Sequence, residues 1–352
     1  MGGELFEYTA NLHVHTAFSD GRGRIEEVIS TAQKAQLDLL LINDHNTLAG
    51  RDRGYEGYHG QLLVLIGTEF SGPHNHYLAY GLENLFEFDW RSPQEIIDRN
   101  KAAGGIGFLA HPFEKGSPLT ENAHAFTWED WSVLGFDGLC LWNFSSTWKA
   151  GAQTIPSALW RYFVRTKTLA GPEKETLANW DELGKTRPVA VIGGSDAHAL
   201  AFGLGPLKLQ FFSYSYLFRA INTHLLLPKK LSGDLDTDRS IIYQALAGGS
   251  SFISNDRLGK IRDFDFWLAN DGSRRCGQGE ETNLKSGDTF FWRQPERALT
   301  YLIRDGQIIS EITVLENPIH VPGPGVYRIE IFKPSRFFGP RPWIYSNAIY
   351  IR

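Results

Sequence analysis

The chain has 352 residues, 42% hydrophobic and 13% aromatic, which is enough for a large core and suggests one large domain with a smaller one beside it. A formal net charge of -5 with no basic cluster argues against a scaffold held to nucleic acid by phosphate contacts, and the pair Lys229 and Lys230 reads as a solvated loop. Cys140 and Cys276 lie far apart and outside any C-x-x-C pair, so the sequence supports neither a disulfide framework nor a zinc ribbon.

Residues 1–9 carry neither a long apolar run nor a basic flank with a cleavage site, and no stretch approaches the roughly 20 apolar residues of a membrane span. A cytoplasmic protein is expected. The first chemical signal follows at once, where Leu12 leads into His13, Val14 and His15, with Asp20 beyond. Side chains alternate along an extended segment, so His13 and His15 point the same way and can grip one ion together. The spacing alone is weak evidence, because His74 and His76 repeat it.

After Gly21-Arg22-Gly23, Ile25, Val28, Ile29, Ala32 and Ala35 have helical spacing. Leu37 to Ile42 is a continuous apolar run, the mark of a strand buried on both faces, and ends in Asn43-Asp44-His45-Asn46. Leu62 to Ile66 ends in Gly67-Thr68-Glu69, Ile106 to Ala110 in His111-Pro112, and Val189 to Ile192 in Gly193-Gly194-Ser195-Asp196-Ala197-His198. Gly138 to Trp142 predicts another strand, ending at Asn143, while His76 begins the run Tyr77 to Tyr80. Helices are predicted over Ser92 to Ala103, Ser157 to Thr168, Tyr216 to Leu226 and Arg239 to Leu246, and a last strand over Ser250 to Ser254. One pattern recurs: a short buried strand delivers a histidine or carboxylate at its carboxyl end. Parallel strands with crossover helices gather such ends on one face, where barrel enzymes keep their catalytic groups.

From about Asp256 the pattern becomes alternating strands: Phe264 to Trp267, Leu299 to Arg304, Ile308 to Val314, Val326 to Phe332 and Trp343 to Ile351. Asp305-Gly306 is a hairpin signal. A first domain over residues 1–255 and a small all-β, sandwich-like domain over 256–352 are expected.

The candidate ligands are His13, His15, Asp20, His45, Glu69, His76, His111, Asp196 and His198. Taken singly, each reads as readily as a buried histidine on a carbonyl or an aspartate capping a helix. That reading weakens when several strand ends each carry such a group, because polar groups there must be paired. His59, His74, His124, His224 and His320 read as ordinary surface or core histidines, with His74 the competitor for the role of His76. Asp44 is better placed to orient an imidazole than to bind a metal.

The ordered series His13-x-His15, Asp20, Asp44-His45, Glu69, His76, Ala110-His111-Pro112 and Ser195-Asp196-x-His198 resembles the PHP family, named for polymerase and histidinol phosphatase domains, over roughly residues 8–255. The resemblance implies an α/β fold, a distorted (β/α)7 TIM-like barrel, with up to three metal ions on one face. It further implies that His13, His15, Glu69 and Asp196 hold one ion, that Glu69 bridges to a second completed by His76 and His111, and that Asp20, His45 and His198 hold a third. With the β-rich tail, the chain is similar to two-domain members described as phosphoesterases and to carbaryl-hydrolase-type metallohydrolases.

Three divalent ions would carry about +6 against -3 from Asp20, Glu69 and Asp196, a pocket suited to a small anionic substrate. The expected activity is metal-dependent hydrolysis of a phosphate ester by a metal-bridged hydroxide. The expected catalytic residues are Glu69, Asp196 and His198, with His198 or a metal-bound water as proton donor. An imidazole and carboxylate shell without thiolate suits Zn, Mn or Fe, two or three ions in all. The alternatives are a carboxylic or carbamic ester hydrolase, with Trp142 and Phe144 lining an apolar pocket, and a metal-stabilised binding module. Neither a membrane nor a nucleic-acid partner is expected.

Overall fold

The protein is described by a computed structural model covering residues 5–120, 124–165, 169–199, 201–202, 209–210, 212–259, 261–313 and 318–352. The fold is mixed α/β. In chain order its first part runs β1 (Phe6–Asn11), α1 (Ile25–Ala35), β2 (Leu39–Ile42), α2 (Ala49–Asp52), β3 (Gly57–His59), β4 (Leu62–Ile66), β5 (Thr68–Phe70), β6 (Tyr77–Tyr80), α3 (Pro93–Ala102), β7 (Ile106–Leu109), β8 (Gly138–Asn143), α4 (Phe144–Gly151), α5 (Ile155–Val164), α6 (Lys174–Gly184) and β9 (Ala190–Gly194). A short ribbon of β10 (Ala201–Phe202) and β11 (Leu209–Gln210) follows, then α7 (Tyr214–Leu217), β12 (Ile221–Leu227), α8 (Leu235–Ala247) and β13 (Ser251–Asn255).

The strands that carry the candidate residues fall into two sheets. In one, β1, β2 and β4 are parallel neighbours; in the other, β7, β8 and β9 are parallel, with β6 antiparallel between β5 and β7. The antiparallel step has a simple cause. Residues 71–76 are too few for a crossover helix, so the chain must turn straight back. Two isolated parallel bridges, Val14 to Ala197 and His45 to Glu69, join the sheets beyond their carboxyl ends.

Parity along each strand divides its side chains between two cores. Leu39, Leu41, Leu63, Leu65, Leu78, Tyr80, Phe108, Cys140 and Ile192 meet in one cluster, while Leu40, Ile42, Val64, Ile66, Ala79, Leu109, Leu139 and Val191 pack with the helices. Ile25, Val28, Ile29 and Ala32 form the buried stripe of α1. Burial on both faces explains why these strands read as unbroken apolar runs, each large side chain contributing about 1.5–3 kcal/mol.

The predicted helix over Tyr216 to Leu226 is wrong in kind: α7 ends at Leu217, and β12 is a central strand paired with β1 and β13 and buried at all its positions. Asn222, Thr223 and His224 interrupt its apolar residues, so the segment shows neither the alternation nor the unbroken run of a strand. Helix α5 begins at Ile155; positions 166–168 of the predicted helix, and Val314 of a predicted strand, lie outside the described residues. Helices α4 and α6 were not anticipated by the sequence reading.

Beyond Asn255 come β14 (Asp265–Asn270), β15 (Ser273–Gly277), β16 (Glu281–Thr282), β17 (Thr289–Arg293), β18 (Leu299–Arg304), β19 (Gln307–Ile312), β20 (Ile319–His320), β21 (Gly325–Lys333), β22 (Arg341–Ser346) and β23 (Ile349–Ile351). Strands β15, β14, β17 and β20 make a four-stranded sheet. Its Phe266, Phe290 and Trp292 share a core with Tyr327, Ile329, Ile331 and Ile344 of the large sheet. Asp305 and Gly306 turn the β18–β19 hairpin with φ of 49° and 80°, as a type I′ turn requires. The large sheet is continuous across residue 255, because β22 pairs with β13. No helix among the described residues is long and apolar enough to cross a membrane.

Candidate metal centre

The site is assembled where the two sheets meet. His13 and His15 flank Val14 just past β1, and a set of backbone bonds fixes them: Ala197 N donates to the His13 carbonyl at 3.2 Å, His15 N to the Ala197 carbonyl at 3.0 Å, and Asn43 N to the Val14 carbonyl at 2.8 Å. Glu69 is the middle residue of β5, and His76 directly precedes β6. His111 and Asp196, two residues past β7 and β9, have φ of 26° and 52°. Such left-handed conformations cost on the order of 1–3 kcal/mol outside glycine and concentrate at functional sites.

All nine candidate residues converge. Glu69 Oε2 lies 2.9 Å from His13 Nε2, 3.2 Å from His15 Nε2 and 3.5 Å from His45 Nδ1, while Oε1 lies 2.9 Å from His76 Nδ1 and 3.3 Å from His111 Nε2. Asp196 Oδ1 lies 3.5 Å from His13 Nε2, and 3.4 Å from both His15 Nε2 and His198 Nδ1. At the mouth, Asp20 meets His198 at 3.1 Å and His45 at 3.6 Å. Asp20 is also the most exposed member, with 55% of its side chain open to solvent. With Ser71, Gly72, Glu114, Phe126 and Lys149, much of this set lines a cavity of about 280 Å³.

Burial and charge act against each other throughout. Desolvation alone would raise the carboxyl groups of Glu69 and Asp196, but surrounding histidines, His13 foremost, hold both well below the usual carboxylate range. Asp20 is likewise lowered, against burial, by hydrogen bonds from His198 and His45. Burial opposes charge on His111 and His198, yet the neighbouring carboxylates, led by Glu69 and Asp196 respectively, raise both to about 9. His15 moves the other way, lowered by burial and by the like charges of His198 and His45.

His74 stands outside the cluster, against Glu129 and His124, whereas His76 faces Glu69. His59 meets the Tyr55 carbonyl, His124 the Pro73 carbonyl, His224 the pair Glu7 and Asp256, and His320 the Thr289 hydroxyl. Asp44 does not orient an imidazole. It accepts from Thr16 N, Thr16 Oγ1 and Ser19 Oγ, each at 2.7 Å, and so ties down the loop between His15 and Asp20. Trp142 and Phe144 stand apart from the cavity at the cluster: Trp142 donates to the Ala170 carbonyl, and Phe144 packs against Phe212 and Tyr216.

The sequence reading gave no role to Glu114 and missed Lys149. Buried Glu114 accepts from Ser146 Oγ at 2.7 Å and pairs with Lys149 Nζ at 3.2 Å, while its Oε2 is 3.7 Å from His111 Nδ1. Lys149 foremost holds its carboxyl low against burial. Lys115, beside Glu114 in sequence, turns away to Glu173 and Glu175.

The donor set fits metal ions. His13 Nδ1, both ring nitrogens of His15 and His45 Nδ1 are buried without a hydrogen-bond partner among the described residues, and buried polar atoms are rarely left so. Two ligand bonds of about 2.1 Å place donor atoms about 3.0–3.4 Å apart at octahedral or tetrahedral angles, close to the separations seen. Four overlapping groups of three or four donors can be drawn: His15, Asp20, His45 and His198; His13, His15 and Asp196; His45, Glu69 and His76; His111, Glu114 and Asp196.

Fold and site together define a mixed α/β protein with a histidine and carboxylate centre of metal-binding type. Residues 11–108 match the family model of the PHP domain. It is 27% identical over 174 residues to the reductase subunit of tert-butanol monooxygenase / tert-amyl alcohol desaturase from Aquincola tertiaricarbonis, covering 46% of this chain and 47% of that protein, so less than half of that relative is spanned. It is 29% identical over 118 residues to an uncharacterized protein of Methanocaldococcus jannaschii, covering 30% of this chain and 67% of that one. A two-domain Bacteroides vulgatus protein containing a predicted PHP-like metal-dependent phosphoesterase aligns over 98% of this chain and 95% of its own, with a TM-score of 0.43 and 14% identity.

Proposed function

We propose that this chain is a metal-dependent phosphoesterase that hydrolyses a small anionic phosphate ester at a centre of two or three Zn, Mn or Fe ions, within a PHP-type barrel walled by the two sheets. The observation that carries the reading is the convergence on Glu69, whose two oxygens face different halves of the cluster: Oε2 toward His13, His15 and His45, Oε1 toward His76 and His111. Such a carboxylate is built to be shared. His13, His15 and Asp196 would complete one ligand set with it and His76 and His111 another, leaving Asp20, His45 and His198 as the set at the mouth.

Bound divalent ions supply Lewis acidity toward a phosphoryl group and lower the pKa of water. The chain supplies the rest. Backbone bonds across Val14, Ala197 and Asn43 fix the imidazoles before substrate arrives. The cavity admits a phosphoryl group through a mouth held by Asp20 and His198, and His198, half-buried and bonded there, is placed to pass a proton to the leaving group.

The test is elemental analysis of purified protein with turnover of p-nitrophenyl phosphate, bis(p-nitrophenyl) phosphate and p-nitrophenyl acetate, with and without added Mn or Zn. Two or three ions per chain with phosphate-selective turnover are expected. Hydrolysis of the acetate alone, or protein that takes up no metal, overturns the reading.

A further inference from the structure

We propose that Lys149 is a substrate-binding residue, whose ammonium takes an oxygen of a dianionic phosphate monoester and so makes this centre favour monoesters over diesters. The inference rests on the phosphoesterase reading for its substrate class, and on the cavity wall for its residue. Among the described residues lining the cavity, the imidazoles face the carboxylates of the cluster, and Lys149 is the single ammonium.

Its position is built rather than incidental. Asn143, the last residue of β8, caps α4 by accepting from Ser146 N at 2.9 Å, which starts the helix at the edge of the site. Ser146 and Lys149 are three residues apart and so share one face of the helix. Both reach Glu114, at 2.7 Å and 3.2 Å. The neighbouring wall is Phe126, whose ring centroid is 5.9 Å from Lys149 Nζ and whose carbonyl is 3.2 Å from His111 Nδ1. The ammonium is thus tied through Glu114 and Phe126 to His111, whose other nitrogen faces Glu69.

A staple holding α4 to the 111–114 loop is the plainer account of this pair. Stability gives that account little support, because a buried Lys–Glu pair must offset the desolvation of both charges and an apolar pair often does as well. A staple also has no need to place its ammonium on the wall of the cavity. A monoester carries close to one more negative charge than a diester at neutral pH, and a charge-assisted hydrogen bond to it discriminates between them.

The experiment compares wild type with Lys149→Met, Lys149→Arg and the double variant Lys149→Met/Glu114→Gln, which removes the Glu114 charge together with that of Lys149. Metal content, the monoester-to-diester ratio of kcat/KM, and the equilibrium affinity for inorganic phosphate are measured. Both methionine variants are expected to lose phosphate affinity and monoester preference about tenfold or more, with partial recovery in Lys149→Arg, and Lys149→Met, which keeps the Glu114 carboxylate, is expected to hold wild-type metal content. Preference and phosphate affinity within threefold of wild type overturn the inference while turnover leaves the phosphoesterase reading standing. Loss of metal from Lys149→Met also overturns it, since the lysine would then act by holding Glu114 and His111. If wild type turns over no phosphate ester, the phosphoesterase reading fails, and phosphate titration of the same proteins decides the role of Lys149 alone.

Discussion

Replacing Glu69 by glutamine keeps the shape of the side chain and removes the one charge that five imidazoles face within 3.5 Å. In metal-free protein Glu69 is the leading favourable influence on His111, which it helps raise to about 9. The net rise from the ordinary 6.5 corresponds to roughly 3 kcal/mol after desolvation has opposed it, so the combined attraction of Glu69, Glu114 and Asp196 is larger still. In chelated Glu69→Gln protein the His111 imidazole, followed by NMR, should therefore titrate well below 9. Metal binding should suffer more. Loss of a group that merely orients a ligand costs about 10- to 100-fold in metal affinity, so loss of a shared ligand should cost at least about 100-fold and reduce turnover of an aryl phosphate to match. Metal equivalents after gel filtration and kcat/KM measure both. His59→Ala serves as the control, its ring meeting only the Tyr55 carbonyl outside the cluster. A Glu69→Gln protein that keeps its metal and stays within threefold of wild-type activity would refute the bridging role.

His224 is buried between Glu7 at 2.8 Å and Asp256 at 3.1 Å; burial opposes its charge, but these carboxylates, Asp256 first, raise it to about 10. Because the folded value lies above the unfolded one, the stability it contributes is complete below about pH 6.5 and is lost as pH rises through 10. Urea midpoints between pH 6 and 10 should fall in wild type and flatten in His224→Gln, the difference amounting to a few kcal/mol. Asp44→Ala removes the three bonds that tether the Thr16 to Ser19 loop, so it should lower stability by about 1–3 kcal/mol and weaken metal retention at the Asp20 corner, read by thermal unfolding and elemental analysis. Asn347→Ala strands the Val191 amide and carbonyl, each bonded to the Asn347 side chain, and should cost about 2 kcal/mol or more by calorimetry.

The candidate centre was the most legible part of the chain because its residues sit at strand ends, where an unbroken apolar run stops and a polar group begins. His13 and His15 were readable from alternation, and Glu69, His111 and Asp196 from the runs before them. The partners that fix these groups were not readable. Asp44 is adjacent to His45, which suggested an imidazole partner, yet its carboxylate turns to Thr16 and Ser19. Glu114 meets a lysine 35 positions away on α4, a helix of eight residues, too short to show a helical period in the sequence. Strand β12 read as a helix because Asn222, Thr223 and His224 break up its apolar residues and leave neither alternation nor an unbroken run.

The β-rich tail illustrates a further limit, because its contribution to the site passes through the backbone. Asn347 accepts from Val191 N at 2.8 Å and donates to the Val191 carbonyl at 2.9 Å, and Tyr350 Oη makes the corresponding pair with Val189. Val191 belongs to β9, the strand whose end delivers Asp196, while β13 is paired with β22 on the next layer. A strand held on its unpaired edge by side chains cannot shift register without breaking buried bonds, and a one-residue slip would carry Asp196 away from His13 and His15. The tail thus bears on the centre without presenting a single candidate ligand to it. Hydrogen bonds from Asn347 to backbone groups more than 150 positions away follow no spacing rule, so only the folded chain could reveal them.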